Sequence, residues 1–332
     1  MRELWYKLLG GVGIFLMGMG VVVFLFAGYQ LWGTNLDEQA KQKDLTTEAA
    51  ANLGLAPATE TASQDVNAQV IEQLSKIDPK TVPTTPAPVE GTFAGMIEIP
   101  KIGVQKAFVE GVTKPDLRKG PGHYIGTPYP GQAGNVGIAG HRTTYGAPFN
   151  RIDELVPGDQ IWLYTNQGKF LYEVLPPPAY KGIERGPGWF TVDPSDTTVL
   201  DQTGENLVTL TACHPKRSAA QRIIVHAKLT AEPLAATPPP STTVPTAPAD
   251  DQSAVEQPTD ESALFAGDPA ELKPSVIWGS GFLGLWAIAT TFGAWMRRTQ
   301  RRYWYWYILA LAPAGFLLWN CFVHLDKWLP SF

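Results

Sequence analysis

Three uncharged apolar stretches limit most strongly what this chain can fold into. They cover residues 8–35, 274–296 and 303–323. A helix of roughly 20 apolar residues spans a hydrocarbon layer about 30 Å thick, and each stretch reaches that length. A compact soluble domain distributes its apolar residues along the whole chain, whereas these crowd both ends. We therefore expect a protein tethered to a membrane at both ends, with one modest soluble domain between the tethers.

The first stretch could instead belong to a cleaved secretory signal, because Arg2 and Lys7 form a basic region before it. Such signals carry an apolar run of roughly 7–15 residues and end in a small-residue cleavage site. The run in this chain is longer and lacks such a site. We expect residues 1–32 to be a retained transmembrane anchor.

Basic residues set the expected orientation of the three spans. Four arginines lie between the two C-terminal stretches: Arg297, Arg298, Arg301 and Arg302. Short basic loops stay on the cytoplasmic side, as does the basic N-terminus. We therefore expect a multi-pass protein of the cell membrane, with a transmembrane hairpin at residues 274–324 and an extracytoplasmic soluble domain.

Two polar stretches flank this middle domain. Residues 33–93 predict an extended stalk with only short helical turns, and residues 232–273 predict a Pro/Thr-rich linker. The domain itself, residues 94–231, is dense in Gly and Pro and has short apolar runs. Two of these runs, QIWLYT and KFLYEV, predict a β-hairpin whose turn contains Asn166 and Gly168. The pattern indicates a small all-β barrel or sandwich, and APFNRIDEL allows one short helix.

Charge and cysteine content exclude several functions. The formal net charge is −5 and no basic patch occurs in the middle domain, so we expect no binding of nucleic acid. The chain has two cysteines, Cys213 and Cys321, which is too few for a disulfide framework. Cys213, His214, His141 and His123 lack the spacing of zinc ligands. We expect neither a metal nor a cofactor.

Three side chains at the ends of predicted strands could form a site. Cys213 follows the apolar run NLVTLTA, His141 ends GNVGIAGH, and Arg222 opens RIIVHAKL. A thiol, an imidazole and a cation are what acyl transfer needs: a nucleophile, a proton carrier and a stabiliser of negative charge. A free cysteine can equally be a small buried apolar residue, so the residues alone leave both interpretations open.

Two longer segments carry a family resemblance. The segment LRKGPGHYIGTPYPGQAGNVGIAGHRTTYGAPFNRIDELVPGD resembles the central region of sortases, and TLTACHPKRSAAQRIIVHAKL resembles their T-L-x-T-C…R signature. The segments GPGHY and AGHRTTYGAPF are most similar in sequence to class E sortases of actinobacteria. The resemblance implies an all-β fold, an eight-stranded barrel with short helices. It also implies cysteine transpeptidation with Cys213 as nucleophile, His141 as acid/base and Arg222 as the oxyanion or substrate-positioning cation.

The same resemblance implies the partners. The first partners are secreted proteins with a C-terminal LAxTG- or LPxTG-type sorting signal, which is cleaved between Thr and Gly. The second partner is an amine of a peptidoglycan precursor or cross-bridge, and the third is membrane lipid. Tyr124 matches the tyrosine associated with Ala over Pro at the second signal position. His123, Thr211 and Ala212 are the further expected substrate-binding residues, although many sortases have Thr where Ala212 stands.

Other functions remain open at this point. A pilin-polymerising sortase would use a lysine of another protein as its amine, and a non-catalytic membrane scaffold would only bind sorting signals. A papain-like protease is disfavoured because its cysteine precedes its histidine along the chain. His214 follows Cys213 directly, so on an extended strand it faces the other way, and we expect it to be structural or solvent-facing.

Overall fold

The computed structural model describes residues 2–55, 63–82, 87–179, 183–234, 268–298 and 304–329. The chain forms two compact bodies. One contains Met1–Gln30 and Phe265–Ser331, and the other contains Leu31–Leu264. Most of the predicted linker at residues 232–273 lies outside the described residues.

The body with both chain ends is helical. Its long helices are α1 (Arg2–Gly28), α4 (Leu272–Arg298) and α5 (Trp304–Trp328). Three helices of the described residues are long and apolar enough to cross a membrane, which confirms the predicted number of such segments. The rings of Tyr29 and Trp319 meet edge to face with centroids 5.0 Å apart, and Gln30 donates to Asp326 at 2.6 Å. The N-terminal segment therefore packs against the last helix.

The other body is built on a β-barrel. Its strands are β1 (Phe93–Ile99), β2 (Val104–Glu110), β3 (Gly122–His123), β4 (Asn135–Ala139), β5 (Gln160–Thr165), β6 (Gly168–Val174), β7 (Phe190–Val192), β8 (Leu207–His214) and β9 (Gln221–Leu229). They pair in the order β6-β5-β1-β2-β3-β4-β8-β9, and pairing of β6 with β9 closes the ring. These eight strands confirm the predicted barrel, and β7 adds to β9 beside β6.

The predicted hairpin is confirmed in β5 and β6. Thr165 pairs with Gly168, so Asn166 and Gln167 form a two-residue turn. Gly168 has φ +127°, a backbone conformation that glycine adopts without steric cost. The helix allowed by APFNRIDEL is shorter than a full α-helix, since only a 3₁₀ turn at Ile152–Glu154 forms there.

Alternation along the strands decides which side chains face the barrel interior. The core includes Val208, Leu210 and Ala212 of β8, Val136 and Ile138 of β4, and Ile223, Val225 and Ala227 of β9. Successive side chains of a strand point to opposite faces. The alternate residues of β4, β8 and β9 therefore share the outer face of this part of the barrel wall.

The predicted extended stalk is instead largely helical and packed on the barrel. Helices α2 (Thr34–Asn52) and α3 (Ser63–Ser75) cover the outer face of β1, β2, β5 and β6. Their buried side chains share a cluster with the barrel: Leu45, Ala49, Ala50, Val66, Val70 and Leu74 with Met96, Ala107, Val109 and Tyr164. Apolar residues four apart form a stripe along a helix even when the average composition is polar. The average composition of residues 33–93 is polar and therefore did not predict these helices.

Candidate active site

Strand register brings the three predicted catalytic residues together. Strands β4 and β8 run parallel with Ala139 beside Thr211, so His141 and Cys213, two residues further on, follow on the same face. Strands β8 and β9 are antiparallel, and Cys213 pairs directly with Arg222. Neighbouring strands lie about 4.8 Å apart, so the imidazole, thiol and guanidinium occupy adjacent positions at one end of the barrel.

All three side chains are nearly buried on the outer face of the wall. Cys213 is 7% exposed, His141 5% and Arg222 7%. Nη1 of Arg222 donates to the carbonyl oxygens of Ala219 and Gln221, each at 3.3 Å, which holds the cation at the turn that follows Cys213. A little-solvated site of this kind strengthens electrostatic interactions with a developing charge.

His141 rests as a neutral imidazole at neutral pH. Burial lowers its pKa to about 4, and the positive charges of Arg118 and Lys114 act in the same direction. Its Nε2 has no hydrogen-bond partner among the described residues. A neutral imidazole with such a nitrogen can accept a proton from a thiol.

Helix α2 braces the loop that follows His141. The ring of Tyr145 lies against the His141 ring with centroids 5.3 Å apart, and its backbone has φ +49°. Its N–H donates to Oγ1 of Thr34 at 3.4 Å, and the N–H of Gly146 donates to Oδ1 of Asn35 at 2.9 Å. No sequence pattern connects these distant segments, so this contact is not predictable from the sequence.

A buried carboxylate supports the same contact. Glu38 of α2 is fully buried and forms an ion pair with Lys106 at 2.7 Å. Burial raises the pKa of Glu38, and the nearby Lys106 opposes that shift. A Cβ on Gly146 would lie 2.5 Å from Oε2 of Glu38, so the loop approaches the helix as closely as only glycine permits.

Comparison with known proteins identifies the family. A family model described as the sortase domain matches residues 97–230. The chain is 29% identical over 222 residues to sortase D of Bacillus subtilis (strain 168), which covers 65% of this chain and 96% of that protein. The chain belongs to the sortase family. It is also 32% identical over 239 residues to sortase SrtE1 of Streptomyces coelicolor, covering 67% of this chain and 57% of that protein.

Solved sortase structures match the barrel region. Sortase E from Streptomyces avermitilis is 32% identical and covers 44% of this chain and 93% of that one, with a TM-score of 0.36. A sortase from Corynebacterium diphtheriae is also 32% identical, and covers 50% and 97% with a TM-score of 0.40. Family membership makes this protein a cysteine transpeptidase.

Two of the predicted substrate-binding residues of this sortase lie beside Cys213. The hydroxyl groups of Tyr124 and Thr211 are hydrogen-bonded at 3.0 Å, and Thr211 shares the outer face with Cys213. The Tyr124 ring crosses β4 at Gly137, where a Cβ would lie 2.8 Å from the tyrosine Cδ2. Glycine at this position therefore lets the tyrosine lie flat on the wall.

The structure places the other two predicted substrate-binding residues elsewhere. His123 is 1% exposed, and its ring nitrogens lie 2.9 Å from Oε2 of Glu110 and 3.0 Å from the carbonyl of Pro128. Ala212 points into the barrel core. These placements correct the expected contacts, since a residue of the interior or of a closed hydrogen-bond network does not face a groove.

An apolar wall beside the site was not predicted. It consists of Phe190, Val192, Val199 and Ile224, with Leu200 packed against them. Val192 pairs with Arg222, and Ile224 follows two residues later on the same face. In the sequence these residues belong to separate short apolar runs. Only the register of β7 on β9 brings them together.

Proposed function

We propose that this sortase cleaves an LAxTG-type sorting signal between Thr and Gly and joins the new acyl group to a cell-wall amine. The observation that carries the proposal is the pairing of Cys213 with Arg222 on β8 and β9, with His141 two residues beyond the end of the neighbouring strand β4. Tyr124, which is partly exposed, and its hydrogen-bond partner Thr211 lie beside these three residues on the outer face of the wall, where an extended peptide could bind.

The proposed chemistry follows from the state of His141. The neutral imidazole takes the Sγ proton of Cys213, and the thiolate attacks the carbonyl carbon of the Thr–Gly bond. Arg222 stabilises the oxyanion, and the imidazolium of His141 protonates the leaving glycine amine as the C–N bond breaks. A thioester remains. An incoming amine attacks it, a new amide forms, and the thiol recovers its proton.

Support for the substrate class comes from similarity to sortases of class E. The chain resembles sortase SrtE1 of Streptomyces coelicolor at 32% identity. Tyr124, which matches the tyrosine associated with Ala at the second signal position, lies on the same face as the Cys213 thiol. The proposed acceptor is an amine of a peptidoglycan precursor or cross-bridge, and the proposed donors are secreted proteins.

We also propose an extracytoplasmic catalytic domain on a multi-pass protein with a cytoplasmic N-terminus. The basic residues before residue 8 and between the two C-terminal spans support this orientation. In intact protoplasts an external protease is expected to cut within residues 232–273. Protection of that segment, with cleavage only after lysis, would contradict the orientation.

The transpeptidase proposal is tested with the full chain in detergent micelles. Quenched LAxTG and LPxTG peptides are compared with and without a small amine, beside the Cys213→Ala variant. We expect turnover that needs Cys213, favours LAxTG and captures the amine in a product that mass spectrometry identifies. Cleavage that persists in Cys213→Ala, or no turnover of either peptide, would refute the proposal.

A further inference from the structure

A buried guanidinium connects the two sides of the candidate active site. Arg142 follows His141 directly, and its side chain is 3% exposed. Its Nη1 donates to the carbonyl oxygen of Cys213 at 3.3 Å and lies 2.6 Å from Nδ1 of His214. Its Nη2 forms an ion pair with Oδ1 of Asp153 at 3.1 Å. One side chain thus links the His141 loop, the end of β8 and the 3₁₀ turn at Ile152–Glu154.

The contact with Arg142 determines the protonation state of His214. A guanidinium has only donors, so Nδ1 of His214 must accept and the ring must be neutral with its proton on Nε2. That nitrogen lies 3.2 Å from Oε2 of Glu184, which accepts its hydrogen bond. The ring of Trp189 lies over the imidazole with centroids 5.9 Å apart. His214 is therefore held in one tautomer, although it is not one of the three aligned residues.

We propose that Arg142 and His214 are a positioning pair that sets the separation of His141 and Cys213 during transpeptidation. The inference rests on the proposed function. Arg142 acts on Cys213 through the carbonyl of that residue, and on His141 through the adjacent peptide bond. The pair depends on Nδ1 of His214 as an acceptor, because the guanidinium has only donors.

The other charged groups of this cluster do not replace the contact between Arg142 and His214. The charged groups that the described residues bring to the cluster are Arg142, Glu184, Asp153 and, 4.0 Å from Asp153, Lys216. Glu184 is half exposed, so its charge is screened by solvent. The direct contact of His214 with Arg142, at 2.6 Å, therefore dominates.

The expected loss is one of turnover and not of peptide binding. A misplacement of about 1 Å at reacting groups costs roughly 100-fold in rate. The hydroxyl groups of Tyr124 and Thr211 are held by their own hydrogen bond on the outer face of the wall, whereas Arg142 contacts Cys213, His214 and Asp153. Removal of the guanidinium should therefore lower kcat while KM stays nearly constant.

The test uses the full chain in detergent micelles with the LAxTG peptide and three variants of the pair: Arg142→Gln, Arg142→Lys and His214→Gln. Arg151→Gln is the matched control, because Arg151 lies nearby but is exposed and pairs with Glu154. We expect Arg142→Gln to lower kcat about 100-fold with KM unchanged, and Arg142→Lys to recover only part of the loss. His214→Gln keeps an acceptor oxygen for the guanidinium, so it should lower kcat less than Arg142→Gln does, with KM unchanged.

A second readout separates this inference from the proposed function. In a Cys321→Ala background Cys213 is the one thiol, and its alkylation rate against pH reports the site without a substrate. We expect Arg142→Gln to change that profile and Arg151→Gln to leave it as in the wild type. Wild-type protein that turns over no peptide but shows this Arg142 dependence would refute the transpeptidase proposal alone. An Arg142→Gln variant that matches Arg151→Gln in kcat and alkylation would overturn the inference.

Discussion

Gln42 of helix α2 completes the edge of strand β2. Its Nε2 donates to the carbonyl oxygens of Ala107 at 2.9 Å and Lys119 at 2.6 Å, and its Oε1 accepts from the N–H of Ala107 at 2.9 Å. The side-chain amide has the same donor and acceptor as a peptide unit, so it pairs with Ala107 as a neighbouring strand would. A Cβ on Gly120 would lie 2.3 Å from this Nε2, so glycine makes room for the amide.

This geometry predicts a large cost for the Gln42→Ala substitution. Each of the three lost hydrogen bonds contributes about 1 kcal/mol net, and the buried groups of Ala107 would remain unsatisfied. The better helix propensity of alanine returns only a few tenths of a kcal/mol. We expect the free energy of unfolding to fall by about 3 kcal/mol, which is roughly a hundredfold change in the unfolding equilibrium.

The assay is a guanidinium titration of a soluble fragment of residues 31–234, which lies within one compact body. Fluorescence of Trp162 and Trp189 reports unfolding of the barrel. Gln39→Ala is the matched control, because Gln39 lies on the same helix with an exposed side chain, and an exposed change of this kind costs within about 0.5 kcal/mol. Equal free energies for the two variants would refute the docking of α2 on β2.

Three further predictions concern the site. Gly137→Ala should move the Tyr124 ring and destabilise the fragment by about 1–3 kcal/mol, measured in the same titration, and an unchanged midpoint would contradict the close packing. Tyr124→Phe removes the hydroxyl contact with Thr211, and we expect a changed ratio of LAxTG to LPxTG turnover with an unchanged melting temperature. The pKa of His141, about 4, lies below its unfolded value, so the unfolded chain binds the extra proton and stability falls as the pH drops towards 4. His141→Asn should remove about 2 kcal/mol of that loss between about pH 7 and about pH 5, and equal pH slopes for both proteins would exclude the shift.

Local patterns in the sequence were sufficient for several features. Apolar stretches long enough to span a membrane need no partner to be recognised, because length and the lack of charge define them. The hairpin of β5 and β6 is equally local, since its two strands and its turn are contiguous. The candidates His141, Cys213 and Arg222 were also local, because each stands at one end of a short apolar run in the sequence.

Only the tertiary structure decided which distant residues meet. Leu45 and Val70 form a core because Met96 faces outward from β1, and that direction depends on the register of the barrel. In the same way Ala212 faces the barrel interior, whereas its neighbours Thr211 and Cys213 face outward. A shift of one residue would exchange the two faces of a strand, and no local pattern reports it.

Around Cys213, too, some features follow from the local sequence and others only from the tertiary structure. The sequence placed His141 and Cys213 at the ends of two apolar runs, and the resemblance to sortases implied their roles. It did not indicate that Arg142 turns back to the Cys213 carbonyl, because the path of the loop after β4 sets that direction. Sequence determines the local elements through periodicity and length, whereas side-chain partners far apart in the chain depend on strand register and loop path, which packing of the whole barrel selects.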